Sequence, residues 1–146
     1  ANVVLVGPPT LVPKTLERIV KQEPERGEVV VSHNLDEVIG ELDAIIMLRV
    51  QFERHGGDSA KSGGMIAIGA GAAIASDYKT MFGLTAERAK RLAKGVPVLH
   101  PGPINLGLEI DADVADDEDR SVILQQVTNG VAVRMAVVKS LLGGGG

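Results

Sequence analysis

Four short runs of aliphatic and β-branched residues, each followed by a break and then a helical pattern, confine this chain to one class of fold. The first, Asn2-Val3-Val4-Leu5-Val6, is closed by Gly7-Pro8-Pro9; the others lie at Glu28 to Ser32, Ala44 to Leu48 and Pro97 to Leu99. Runs this short bounded by glycine or proline read as buried strands. Ala44 to Leu48 is apolar throughout, which suits a strand covered on both faces. Between the runs, Leu16, Ile19 and Val20 repeat at helical spacing within residues 13 to 23, with Pro13 in the first turn. Asn34 is placed to cap a helix through Leu42, and Thr85 a helix from Ala86 to Lys94 that stops at Gly95. A long helix is expected from about Arg120 to Leu142. Strands alternating with helices predict an α/β domain, a mostly parallel sheet flanked by helices, over residues 1 to 142, with a flexible glycine tail at 143 to 146.

Composition narrows the function classes. With only Phe52, Tyr78 and Phe82 as aromatics, the core must be aliphatic. The chain has no cysteine, so disulfides and thiolate metal sites are excluded, in keeping with a cytoplasmic protein. Its longest apolar run, Met65 to Ala75, is short and glycine-rich, whereas a membrane-spanning helix takes about 20 residues. No basic segment precedes the first strand, so no signal peptide is expected. A net charge of −4 argues against a nucleic-acid partner, although a local arginine can still hold a small anion.

Ligands of open parallel sheets bind beyond the carboxyl ends of the strands. Two polar clusters sit at such ends: Arg49 to Arg54 after the third strand and His100 to Asn105 after the fourth. If those strands are neighbours, Arg49, Gln51 and the loop Pro101-Gly102-Pro103 face one crevice. An arginine there suits a carboxylate or phosphate, because its planar fork makes paired hydrogen bonds. The competing reading pairs Arg49 with Glu53 or Asp43 as surface chemistry. His100 is expected to anchor its loop rather than act as a base, and His33 and His55 to serve in turns or solvent. Gly69 to Ala73 reads as packing or loop and lacks the pattern of a nucleotide cradle. The acids from Asp111 to Asp119 read as caps for the helix that follows, not as a metal site.

Longer motifs carry a resemblance. Asp36-Glu37 through Leu48-Arg49-Val50-Gln51 to Glu53-Arg54, Phe82-Gly83-Leu84-Thr85, His100-Pro101-Gly102-Pro103-Ile104-Asn105 to Glu109-Ile110, and the Gln125-Gln126-Val127-Thr128-Asn129-Gly130-Val131 helix are similar, in order and spacing, to the C-terminal aspartate-binding domain of aspartate carbamoyltransferases. The resemblance covers roughly residues 28 to 142 and implies a Rossmann-like second-domain fold. It implies transfer of a carbamoyl group to L-aspartate in pyrimidine biosynthesis, with no metal or organic cofactor. It further implies that Arg49 and Gln51 bind aspartate carboxylates, and that carbonyls around Gly102 and Pro103 accept from the carbamoyl amide, with a cis bond before Pro103 and His100 and Pro101 supporting the loop. The family's Ser-Thr-Arg-Thr phosphate cradle and the second carboxylate-binding arginine do not occur in these residues, and Leu106 and Phe52 stand where the family usually has basic residues. The chain is therefore expected to bind an aspartate-like or carbamoyl-aspartate-like ligand yet to be inactive alone. The alternative is a non-catalytic scaffold. The terminal helix carries Leu124, Val127, Val131, Met135, Val138 and Leu142 as one stripe, widened by Ile123, Val133, Val137 and Leu141. In the family this helix packs on the first domain, so part of the stripe is expected to be exposed as a surface for a protein partner or a second copy; otherwise the helix folds onto the chain's own sheet.

Overall fold

The computed structural model describes residues 1–20, 27–50 and 76–143. All four expected strands are present: β1 (Val3–Val6), β2 (Val29–Ser32), β3 (Ile45–Ile46) and β4 (Val98–Leu99). Both ladders are parallel. β1 pairs with β2 in the register Val3 to Val29 through Val6 to Ser32, and β3 pairs with β4 as Ile45 to Val98 and Ile46 to Leu99. They form two separate two-stranded sheets rather than one. Single backbone contacts lengthen the second ladder: Met47 N donates to Leu99 O at 2.9 Å, and Val98 N to Arg120 O at 2.9 Å.

The helices are α1 (Leu16–Val20), α2 (Leu35–Val38), α3 (residues 76 to 82), α4 (Ala86–Ala89), α5 (Ala112–Ala115) and α6 (Ile123–Gly143). Both expected caps are made. The Asn34 side chain accepts from Asp36 N at 3.0 Å, and Thr85 Oγ1 accepts from Arg88 N at 3.3 Å. Each capped helix is nonetheless shorter than the apolar spacing suggests. α2 tightens into a 3₁₀ turn over Ile39–Glu41, and α4 gives way to turns before Gly95. In the latter case the Arg120 guanidinium takes the carbonyls of Ala89, Leu92 and Ala93 at 3.2–3.3 Å. The terminal helix begins at Ile123 rather than Arg120 because Arg120 closes a turn and Ser121 bridges to Val98 of β4, with Val122 N donating to Val98 O at 3.0 Å. Gly143 belongs to α6, and the rest of the expected tail lies outside the described residues.

The core is aliphatic. Leu35, Ile39, Ile45, Met47, Leu84 and Ala89 pack with Leu92, Val96, Val98, Ile110, Val114 and Ile123, and Val6 of the first ladder leans against this cluster. α6 stands apart from it. Only Ile123 of its residues is buried, while Leu124, Met135 and Leu142 are 83%, 67% and 81% exposed. Among the described residues the apolar stripe is thus uncovered, and beyond Ile123 the helix does not fold back onto the sheet.

Candidate site at the carboxyl end of the second ladder

Because β3 and β4 are parallel neighbours, their carboxyl ends open on the same edge. One end delivers Met47 to Val50, the other the loop from His100 to Asn105. Asn105 Nδ2 donates to Val50 O at 3.3 Å, tying the two directly. Arg49, one residue before that contact, is exposed. Among the described residues it forms no ion pair, with Asp43 or any other acid; Gln51, Phe52, Glu53 and His55 lie outside the described residues, as does Gly69 to Ala73. Past β3 the alternation of buried and exposed residues stops, since Leu48 and Arg49 are both exposed and Val50 is buried. The ladder to β4 has run out at that point.

The loop after β4 has a defined shape. Gly102 adopts φ 68°, a left-handed conformation that a side chain resists, and the Gly102–Pro103 bond is cis. Pro101 and Pro103 are exposed while His100 beneath them is fully buried. His100 anchors the loop as expected: its Nδ1 accepts from Gly102 N at 2.9 Å, and its own backbone N donates to Gln126 Oε1 of α6 at 2.9 Å. His33 has a comparable turn role, its Nδ1 lying 2.7 Å from Gly7 O.

Beneath the loop lies an acid that the residue pattern alone did not mark. Glu109 is 0% exposed; its Oε1 accepts from Asn105 N at 2.6 Å and sits 3.3 Å from His100 Nε2. The latter contact is not aligned as a hydrogen bond, so His100 Nε2 and Glu109 Oε2 both have no hydrogen-bond partner among the described residues. Leaving a buried oxygen unpaired costs about 1–3 kcal/mol, more when it is charged, so apolar surroundings alone would not favour an acid here. Burial, with the Glu109 charge beside it, pushes the Tyr78 hydroxyl above its ordinary value. Besides its place in the motif that ends at Ile110, the sequence signal for Glu109 is an acid enclosed by Leu108 and Ile110.

Ion pairs brace the elements around this edge. Arg88 forks onto Asp36 with bonds of 3.1 and 2.6 Å, and also takes the carbonyls of Thr80 and Gly83 at 2.8 Å each, closing the end of α3. Arg91 joins the same carboxylate and bonds the Asp36 carbonyl at 2.5 Å. Asp111 was expected to serve the following helix. Instead it reaches back, accepting from Ala86 N at 3.1 Å at the start of α4 and pairing with Lys79 at 2.9 Å. Among the acids after it, Asp117 Oδ1 accepts from the backbone of Asp119 and Arg120 at 2.9 and 3.2 Å, a local turn. The acidic run surrounds α5, while α6 has no acid in its first turn. Among the described residues no group of three or more His, Asp or Glu is arranged to hold a metal ion, and no helix is long and apolar enough to cross a membrane.

What the edge can do chemically is hold a small dianion or amide. It offers an exposed arginine, a turn of fixed shape, and a buried polar layer that holds the turn. Residues 1–141 match the model of the family described as aspartate/ornithine carbamoyltransferase, Asp/Orn binding domain. The catalytic subunit of aspartate carbamoyltransferase from Desulfitobacterium hafniense is 43% identical over 145 residues, covering 99% of this chain and 40% of that protein. Its counterpart from Nocardioides sp. is 46% identical over 144 residues, covering 99% and 38%. A crystal structure of Trypanosoma cruzi aspartate transcarbamoylase, in complex with carbamoyl aspartate and phosphate, superposes with a TM-score of 0.65 at 25% identity, over 95% of this chain and 39% of that one. The chain thus spans about two fifths of the length of these relatives.

Proposed function

Starting from the fact that this chain belongs to the aspartate/ornithine carbamoyltransferase family, as its Asp/Orn-binding domain, we propose that it forms the aspartate-binding part of an aspartate carbamoyltransferase. The reaction joins carbamoyl phosphate and L-aspartate to give N-carbamoyl-L-aspartate and phosphate, a step toward pyrimidines, in a cytoplasmic setting. Arg49 and Gln51 hold aspartate carboxylates. Carbonyls of Gly102 and Pro103 accept hydrogen bonds from the carbamoyl amide, with His100 and Pro101 supporting their loop. The amino group of aspartate attacks the carbamoyl carbon, the bond to phosphate oxygen breaks, and the proton lost by the amine is taken up by the departing phosphate. No covalent intermediate on the protein and no cofactor is needed, so the contribution of the site is orientation and fixed dipoles. The observation that carries this reading is the Asn105–Val50 bond at 3.3 Å, which sets the loop and the strand end bearing Arg49 on one edge. Family preference between aspartate and ornithine comes from the loop itself. Pro101-Gly102-Pro103 resembles the aspartate enzymes, and the curated relatives at 43% and 46% identity are aspartate enzymes.

Calorimetric titration with N-carbamoyl-L-aspartate tests the assignment. The unaltered chain should release binding heat, and Arg49→Ala should weaken the affinity at least tenfold, since a hydrogen bond to a charged group contributes about 1.5–3 kcal/mol. Equal affinity in both proteins would remove the assignment. A second reading, a non-catalytic scaffold that assembles through α6, is favoured by the uncovered stripe on that helix and by Leu106, which stands 58% exposed where the family usually carries arginine. A pure scaffold would give no binding heat with this ligand.

A further inference from the structure

We propose that Glu109 is a positioning residue for the ligand edge, fixing both ends of the Gly102–Pro103 turn through His100 and Asn105 without touching ligand itself. The inference rests on the reading of that edge as the ligand site and extends it to a residue one layer below. One carboxylate oxygen, Glu109 Oε1, serves both sides: it accepts from Asn105 N at 2.6 Å and faces His100 Nε2 at 3.3 Å. On the His100 side the imidazole passes the constraint upward, because its Nδ1 accepts from Gly102 N at 2.9 Å. That bond needs the Nδ1 lone pair, so the hydrogen of the neutral ring sits on Nε2, the nitrogen facing Glu109. On the other side, Asn105 carries the constraint sideways through its 3.3 Å bond to Val50 O, next to Arg49. The turn and the guanidinium therefore take their separation from one buried group.

An apolar residue at this depth would pack without leaving an oxygen such as Oε2 unpartnered among the described residues. What a carboxylate adds is one oxygen that accepts from Asn105 N, four residues away, and lies 3.3 Å from His100 Nε2, nine residues away, a nitrogen with no hydrogen-bond partner among the described residues. A shift of about 1 Å in a positioning group is enough to lower catalysis on the order of a hundredfold, so a device holding both halves of the edge acts on ligand geometry as well as on the fold.

The test uses the full 146-residue chain with Glu109→Gln and Glu109→Leu. Nitrogen-15 NMR of the histidine rings and of the Gly102 and Asn105 amides reads the loop directly, and calorimetry with N-carbamoyl-L-aspartate reads the site. In the unaltered chain His100 should show the Nε2–H form with a slowly exchanging ring proton. E109Q, which keeps the shape and an acceptor oxygen, should move that proton upfield and retain the affinity within about threefold. E109L should shift the Gly102 and Asn105 amides and lower the affinity at least tenfold. Should E109L not fold, the E109Q ring-proton shift alone decides. An unchanged His100 ring signal in E109Q, or unchanged Gly102 and Asn105 amides in a folded E109L, would overturn the proposal. If the unaltered chain takes up no N-carbamoyl-L-aspartate, it is the ligand assignment that fails, and the NMR results still decide the role of Glu109.

Discussion

Asp36 shows how a single residue links fold and surrounding charge. A hydrogen bond from Arg88, joined by the charges of Arg88 and Arg91, holds its carboxyl below the ordinary range against a smaller opposing effect of desolvation. Asp111 is lowered in the same way, by its hydrogen bond to Lys79 and then by Ala86 N. For a group whose pKa is lower folded than unfolded, the unfolded chain binds more protons through the acid range. The stabilisation is therefore present above the unfolded carboxylate value and is lost as pH falls through the folded one. Urea unfolding followed from pH 7 down to pH 2 should accordingly show a falling midpoint below about pH 4. Asp36→Asn should lower the midpoint at pH 7 and flatten part of that acid limb. A variant whose midpoint runs parallel to the parent at every pH would show that the Asp36–arginine cluster contributes nothing through its charge. Because the Asp36 side chain is 40% exposed, solvent screening keeps the effect modest.

Among the elements, α6 departs most from the packing of the rest. Its 21 residues span about 30 Å, yet beyond the Ile123 turn it lies almost wholly in solvent. A helix held only at its base adds little to the stability of the body. Ending the chain after Gly130 should therefore leave the thermal midpoint within about 5 °C of the parent, a shift equivalent to roughly 1 kcal/mol. The same deletion should abolish most binding of a hydrophobic dye to the native protein. A midpoint lowered by 15 °C or more would mean that the distal turns pack on the body after all. The contrast between α6 and α4 also shows where sequence stops being informative. Asn34 and Thr85 are legible as caps because their partners lie two and three residues away. The Gly102 turn is legible because its prolines are adjacent. Asp111 at the start of α4 and Gln126 on His100 act across 25 and 26 residues, and Glu109 works in a buried layer. Such partners have no local periodicity, so sequence pattern gave the acids to the nearest helix. The early end of α4 has the same origin, since the carbonyls that would continue it are taken by Arg120, some thirty residues on.

At the scale of the molecule, two features reinforce each other: the proposed ligand edge, which carries no phosphate cradle, and a helix whose apolar stripe has no cover within the described residues. In the proposed assignment Arg49 orients the aspartate and the turn carbonyls hold the carbamoyl amide, but carbamoyl transfer also needs donors for the departing phosphate and for the carbamoyl oxygen. No Ser-Thr-Arg-Thr cradle occurs among these 146 residues. Each such donor lowers the barrier by about 3 kcal/mol, and two missing donors already correspond to a rate loss on the order of ten-thousandfold. The 146-residue chain by itself should therefore form N-carbamoyl-L-aspartate no faster than the buffer blank. Supplying a carbamoyl-phosphate-binding domain as a separate polypeptide should restore turnover only if that polypeptide also covers the α6 stripe. Replacing Val131 and Val138, which are both 53% exposed, by lysine should then abolish the restoration while leaving the isolated chain folded. A radiometric assay of carbamoyl-aspartate formation, run with and without the second polypeptide, separates the possibilities. Turnover by the chain alone would show that the edge contains all its chemistry, and restoration that survives the two lysines would show that the partner docks elsewhere.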